Sequence, residues 1–287
     1  MDVSPQRGLV RRPSTAADFT THRYPPGERL SPWIVYFWTV TWDRGESGSL
    51  ESTVISFPAM HLTLEWGEPG SERHGHAMPA MLVHGVVSRV FRIRIEGRGG
   101  VVGARFRADG FHRWTGLDAA QFTDRVVPAA GLLGTEIGAE ASRLSPAADP
   151  LGQLGRLRQD LERRRPSVEP GELSAVVDRM ARDPDLIRVD QVARAVGWSE
   201  RTLQRRFRRE VGIGPKWVLS RFRLQEAALA LERDPTVDLA TLATQLGFYD
   251  QAHLTNTFME MLGETPARYA ACATADWAGG QPADGRT

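Results

Sequence analysis

The chain has 287 residues, 41% of them hydrophobic and 25% charged, with a formal charge of +1; this is the composition of an ordinary globular protein long enough for about two domains. No apolar run approaches the roughly 18 residues that a membrane helix needs, and no apolar block follows the basic residues near the start, so neither a membrane partner nor a secretory leader is expected. Cys272 is the single cysteine, which excludes an internal disulfide or a thiolate zinc site and points to a cytoplasmic home.

Residues 1–22 are polar and aperiodic and are predicted to be a flexible N-terminus. A β-rich domain is predicted over 23–128. Its first strand is the aromatic and β-branched run Trp33–Trp42. Further strands are predicted at Thr53–Phe57, His61–Trp66, Met81–Val86, Val90–Ile95 and Val101–Phe106, with glycines between them. Phe91, Ile93 and Ile95 alternate with Arg92, Arg94 and Glu96, which places one face in a core and the other in water. Many short strands with glycine turns suggest a barrel or sandwich. The aromatic residues Trp33, Tyr36, Phe37, Trp38 and Trp42 are read as core packing in preference to the lining of a pocket.

A short helix is predicted at Phe111–Trp114, followed by a helical segment and linker over 129–168. Within it Ala129–Arg143 reads as helical. Leu151, Leu154, Leu157 and Leu161 then recur at helical spacing before Pro166, and 166–170 reads as linker. These leucines fit two roles, packing on their own domain or forming a seam between two copies.

From Glu172 the sequence is helical with sharp interruptions. Val189–Val196, the turn Gly197-Trp198-Ser199 and Glu200–Val211 make a helix, a tight turn and a second helix with Ser199 as N-cap. Val192, Val196, Leu203 and Phe207 are expected to fill the angle between the two helices, leaving Arg201, Gln204, Arg205 and Arg208 outward. The unit then recurs. Ala193 and Gly197 correspond to Ala243 and Gly247 at an offset of 50; beyond the turn Leu203, Phe207, Gly212 and Pro215 correspond to Leu254, Phe258, Gly263 and Pro266 at 51. One residue is inserted in the second turn. The uninterrupted stretch Pro215–Glu232 joins the copies as a helix of roughly 27 Å, comparable to the roughly 34 Å between major-groove segments one turn apart.

Residues 172–272 resemble the DNA-binding domain of AraC/XylS-type regulators. The resemblance rests on Ala193, Gly197, Ser199, Leu203, Phe207, Gly212, Pro215, Ala227, Leu231, Ala243, Gly247, Phe248, Leu254, Phe258, Gly263, Pro266 and Tyr269. It implies an α+β chain: a divergent cupin-like regulatory domain followed, over 169–272, by an all-α seven-helix domain with two helix-turn-helix units and a flexible tail at 273–287. It implies a transcription regulator, not an enzyme, with double-stranded DNA as partner and a small effector, a homodimer and RNA polymerase as further partners. Base-reading positions carried over are Arg201, Thr202, Gln204 and Arg205 in the first unit and Gln251, Ala252, Thr255 and Asn256 in the second, with Ser199, Arg208 and Arg209 completing the DNA-binding set. The first recognition helix carries five arginines and the second neither lysine nor arginine, so the first is expected to dominate affinity. A cupin metal site places a carboxylate shortly after an H-x-H pair. Here Ala77–Met81 follows His74 and His76, and Glu68 and Glu72 precede them, so His61, His74, His76, His84 and His112 are read without a metal role and no metal or other cofactor is expected.

Overall fold

In the strand His61–Trp66, His61, Thr63 and Glu65 alternate with Leu62, Leu64 and Trp66, so its two faces have opposite character. That alternation, repeated on neighbouring strands, sets the layering of the N-terminal domain. The computed structural model describes residues 19–45, 48–54, 57–133, 149–167 and 171–271.

Ten strands occur in the described N-terminal residues: β1 Thr20–Tyr24, β2 Ile34–Asp43, β3 Leu50–Val54, β4 His61–Trp66, β5 Glu72–Arg73, β6 His76–Ala77, β7 Ala80–His84, β8 Phe91–Ile95, β9 Arg98–Phe106 and β10 Val126–Pro128. A six-stranded sheet runs in the order β1-β2-β9-β4-β7-β10, and β3-β8 and β5-β6 form separate antiparallel pairs. One face of the large sheet carries Ile34, Phe37, Leu62, Leu64, Val102 and Ala104. Leu154, Leu157 and Leu161 of helix α2 (Pro150–Arg164) pack into the same core. The opposite face carries Tyr36, Trp38, Trp42, His61, Thr63 and Glu65 and looks across a cavity to Phe91, Ile93 and Ile95 of β8.

Several expectations change here. Thr20–His22 belong to strand β1, paired with Thr39–Thr41, and are not a flexible terminus. The predicted strand at Thr53–Phe57 lies instead at Leu50–Val54, paired with β8. Of the predicted helix Ala129–Arg143, the described part, Ala129–Leu133, is a turn; 134–143 lie outside the described residues, as do 1–18, 168–170, Cys272 and the tail at 273–287. Leu154, Leu157 and Leu161 are buried in their own chain, the first of the two roles open to them, and Leu151 alone of the series is exposed. The aromatic run divides by strand parity: Phe37 and Trp33 join the core, whereas Tyr36, Trp38 and Trp42 line the cavity.

The second domain is all-helical: α3 Glu172–Arg182, α4 Val189–Ala195, α5 Glu200–Arg206 continuing as a widened π-turn to Val211, α6 Pro215–Arg233, α7 Leu239–Gln245 and α8 Gln251–Leu262, with a last helical stretch at 266–271. The earlier short helix, α1, is Gly110–Thr115. Each helix-turn-helix has its own core. Val192, Leu203, Phe207 and Val218 fill the first; Leu242, Leu254, Phe258 and Tyr269 fill the second.

The two domains are docked. Ile213 and Trp217 pack against both the sheet core and the first helical core. The Trp217 indole donates to the Ser88 carbonyl at 3.1 Å, and Arg107 pairs with Asp178 at 2.7 Å. The Thr123 hydroxyl donates to the Gly212 carbonyl at 2.5 Å, at the end of the first recognition helix. Gly212 has φ +97°, and a Cβ there would lie 3.0 Å from the Ala119 carbonyl oxygen, so both its backbone and its neighbours require glycine.

Candidate nucleic-acid interface and cavity

The repeat seen in the sequence is a repeat in backbone geometry. Gly197 and Gly247, at matching places in the two turns, have φ +70° and +71°. Four residues separate α4 from α5 and five separate α7 from α8, which locates the inserted residue in the second turn. The second helix of each unit is capped by its own side chain: Ser199 Oγ accepts from the Thr202 amide at 3.1 Å and Asp250 Oδ1 from the His253 amide at 2.7 Å.

The two outward faces differ in charge. On the first helix Arg201, Gln204, Arg205, Arg208 and Arg209 are exposed, while Leu203 and Phe207 are fully buried. Thr202 is half-buried and its hydroxyl accepts from Ser199 at 2.9 Å, so both side chains serve the cap. Arg206 leaves the outward set. It bonds Glu210 at 2.8 Å and Glu172 at 3.2 Å and lies 4.3 Å over the Trp198 ring, fastening the helix to α3 and to the turn. On the second helix Gln251, Ala252 and Asn256 are exposed and Thr255 is half-buried, with the acidic Glu260 beside them. Arg223 is likewise internal: it donates to the Gly247 carbonyl at 2.7 Å and packs on Phe248, tying α6 to the second turn.

A family model described as Helix-turn-helix domain matches residues 192–271, the segment that holds both turns and both recognition helices. The C-terminal domain is an AraC-type helix-turn-helix domain. A second model, described as Domain of unknown function (DUF6597), matches residues 22–128 ahead of the AraC-type domain. The HTH-type transcriptional regulator MtrA of Neisseria gonorrhoeae is 30% identical over 81 residues, covering 28% of this chain; the match spans 27% of that relative. Among solved structures, the C-terminal domain of AraT, a response regulator from Geobacillus stearothermophilus, is 22% identical over 35% of this chain and 88% of its own, with a TM-score of 0.31. ToxT from Vibrio cholerae covers 89% of this chain and 98% of its own at 8% identity and a TM-score of 0.39. Among the described residues no helix is long and apolar enough to cross a membrane.

The cavity ahead of the AraC-type domain measures about 490 Å³, within the range of small-molecule sites. Its walls are mostly aromatic and aliphatic. Its polar groups are concentrated on β1, β4, β7 and the β5-β6 hairpin: Arg23, His61, Thr63, Glu65, Arg73, His74 and His84. Burial, and then the charge of Arg105, holds the His61 imidazole well below its ordinary pKa. Burial alone would raise the Glu65 carboxyl, but the His84 hydrogen bond and the charges of His84, His74 and Arg73 outweigh it and hold the pKa at about 2. The hydroxyl of Thr21 and the indole N–H of Trp38, both on residues lining this cavity, are buried without a hydrogen-bond partner among the described residues.

Sequence reasoning missed this cluster. Glu68 and Glu72, the carboxylates considered with the histidines, are exposed, and Glu68 accepts from the Arg98 amide. The carboxylate beside His74 and His84 is Glu65. Its signal was the polar alternation His61, Thr63, Glu65 along one strand face.

Glycines on β9 make room for the aromatic wall. A Cβ on Gly103 would fall 2.2 Å from the Trp38 ring. Gly103→Ala is therefore expected to push that indole into the cavity and to cost about 1–3 kcal/mol through overpacking. Urea unfolding with tryptophan fluorescence checks it; an unchanged midpoint and emission spectrum would refute this account of the wall.

Proposed function

We propose that the chain is a sequence-specific DNA-binding transcription regulator, read into DNA by two unequal recognition helices and controlled by a small effector in the N-terminal cavity. The observation that carries the proposal is the exposed arginine face of the first recognition helix within a duplicated helix-turn-helix. Arg201, Arg205, Arg208 and Arg209 are free of the internal contacts that hold Arg206, and their charge suits the phosphate backbone. Asn256 and Gln251 offer amides that suit adenine edges. The N–H of Trp38 and the hydroxyl of Thr21, unpartnered among the described residues, support a ligand with polar groups in the cavity.

The test is a gel-shift titration of the full chain on the region upstream of its own gene at several salt concentrations. The full chain is used because Ile213 and Trp217 pack against both domains. With the three arginines other than Arg205 on phosphates, log affinity is expected to fall with log salt at a slope of about −3. A flat salt dependence, or no retention at any salt, would sink the proposal.

A further inference from the structure

We propose that Glu65, His74 and His84 form a binding site for one divalent transition-metal ion in the wall of the N-terminal cavity. The inference deepens the effector reading of that cavity by naming a ligand class.

The three side chains come from three separate elements. Glu65 lies on β4, His84 on β7, and His74 at the tip of the β5-β6 hairpin. One donor atom from each lies within 4.8 Å of the other two. His84 Nε2 is 2.9 Å from Glu65 Oε1, and His74 Nε2 is 3.8 Å from Glu65 Oε2. Ligands about 2.1 Å from a tetrahedral ion stand about 3.4 Å apart, so the observed separations bracket what an ion between them needs. Two imidazoles and one carboxylate, with no thiolate, suit zinc, cobalt, nickel or iron in the divalent state. All three residues line the cavity, so three protein ligands leave a coordination position for water or an effector atom.

Two further observations point the same way. His74 has φ +54° and is followed by Gly75 at φ +77°, so the hairpin tip is held in a left-handed turn that a non-glycine residue seldom adopts. A hairpin-tip side chain ordinarily reaches into solvent, yet that of His74 is only 16% exposed. It turns inward and stacks on Phe91 with the rings 5.5 Å apart. The carboxylate is also supported from behind. Thr63 Oγ1 donates to Glu65 Oε1 at 2.8 Å, and Arg73 donates to Oε2 at 3.3 Å and to the Trp66 carbonyl while packing over Trp42. Outer partners of this kind orient a ligating carboxylate. Arg73 also shares its charge, so the affinity expected is below that of a closed four-ligand site.

The untagged full chain, stripped by dialysis against a chelator, is titrated at fixed pH with Co²⁺, whose visible absorption reports its coordination. The expected result is saturation at one ion per chain and displacement by Zn²⁺. His74→Gln and His84→Gln are each expected to lower the affinity at least about tenfold. His76→Gln is the control, since that ring faces the Val126 carbonyl, and it is expected to leave binding unchanged. Circular dichroism of the stripped proteins verifies folding; should His84→Gln fail to fold, His74→Gln on the hairpin tip decides. Wild type binding Co²⁺ no more tightly than His74→Gln overturns the site. DNA retention is measured separately on the stripped and loaded samples, so failure of the metal site and failure of the regulator reading are told apart.

Discussion

Alanine at position 205 is expected to weaken binding to the specific DNA site by about 1–3 kcal/mol and to relax preference at one base pair. Arg205 is exposed, midway between Leu203 and Phe207, both fully buried. Two residues along a helix turn the side chain by about 200°, so with its neighbours inward Arg205 faces out, and its planar fork suits the O6 and N7 acceptors of guanine. Asn256 holds the comparable place between the buried Leu254 and Phe258, but it is shorter and uncharged, and its helix carries neither lysine nor arginine. Asn256→Ala is therefore expected to cost less and to act on a different base pair, about one helical turn away. Both variants are titrated against a randomised site library at one salt concentration. A larger loss from Asn256→Ala, or a shift at the same base pair from both, would show that the helices are not separate and unequal readers.

Leu161→Ala is expected to destabilise the N-terminal domain by about 2–5 kcal/mol without altering the molecular mass in solution. Leu161 is fully buried, packed with Leu154 and Leu157 into the core beneath the large sheet. Removing its branched end leaves a cavity as well as losing the transfer of apolar surface, hence the size of the effect. Urea unfolding gives the stability and light scattering the mass. If the variant changed its mass while keeping the wild-type midpoint, α2 would belong to an interface between copies and not to the core.

The helical half was legible because its information is local and doubled. Gly197 and Gly247 both take positive φ, Ser199 and Asp250 both cap, and Phe207 and Phe258 are both buried. A repeat lets each copy check the other. The charge contrast between the recognition helices was legible too, although only the structure shows that Arg206 is occupied with Glu210 and Glu172. In the β domain β2, β4, β7, β8 and β9 could be read near their places, but neither their partners nor the remaining strands. Thr20–Tyr24 has no conspicuous pattern of its own and becomes a strand by pairing with β2. The Leu151–Leu161 spacing foretold an amphipathic helix and left open what would cover it; the sheet does. The Glu65, His74 and His84 cluster depends on sheet register and on a hairpin folding back, and a linear search for a carboxylate next to H-x-H looks in the wrong place.

Gly212 lies where the first recognition helix ends and where the sheet domain begins to hold it, through the hydroxyl of Thr123. A contact shared by both domains makes any coupling through it run in both directions. Any molecule whose affinity differs between the docked helix end and a released one shifts DNA affinity by some factor, and specific DNA must shift the affinity for that molecule by the same factor. The promoter would then act as a ligand of the sensor, and occupancy of the cavity measured on free protein would differ from occupancy on the chromosome.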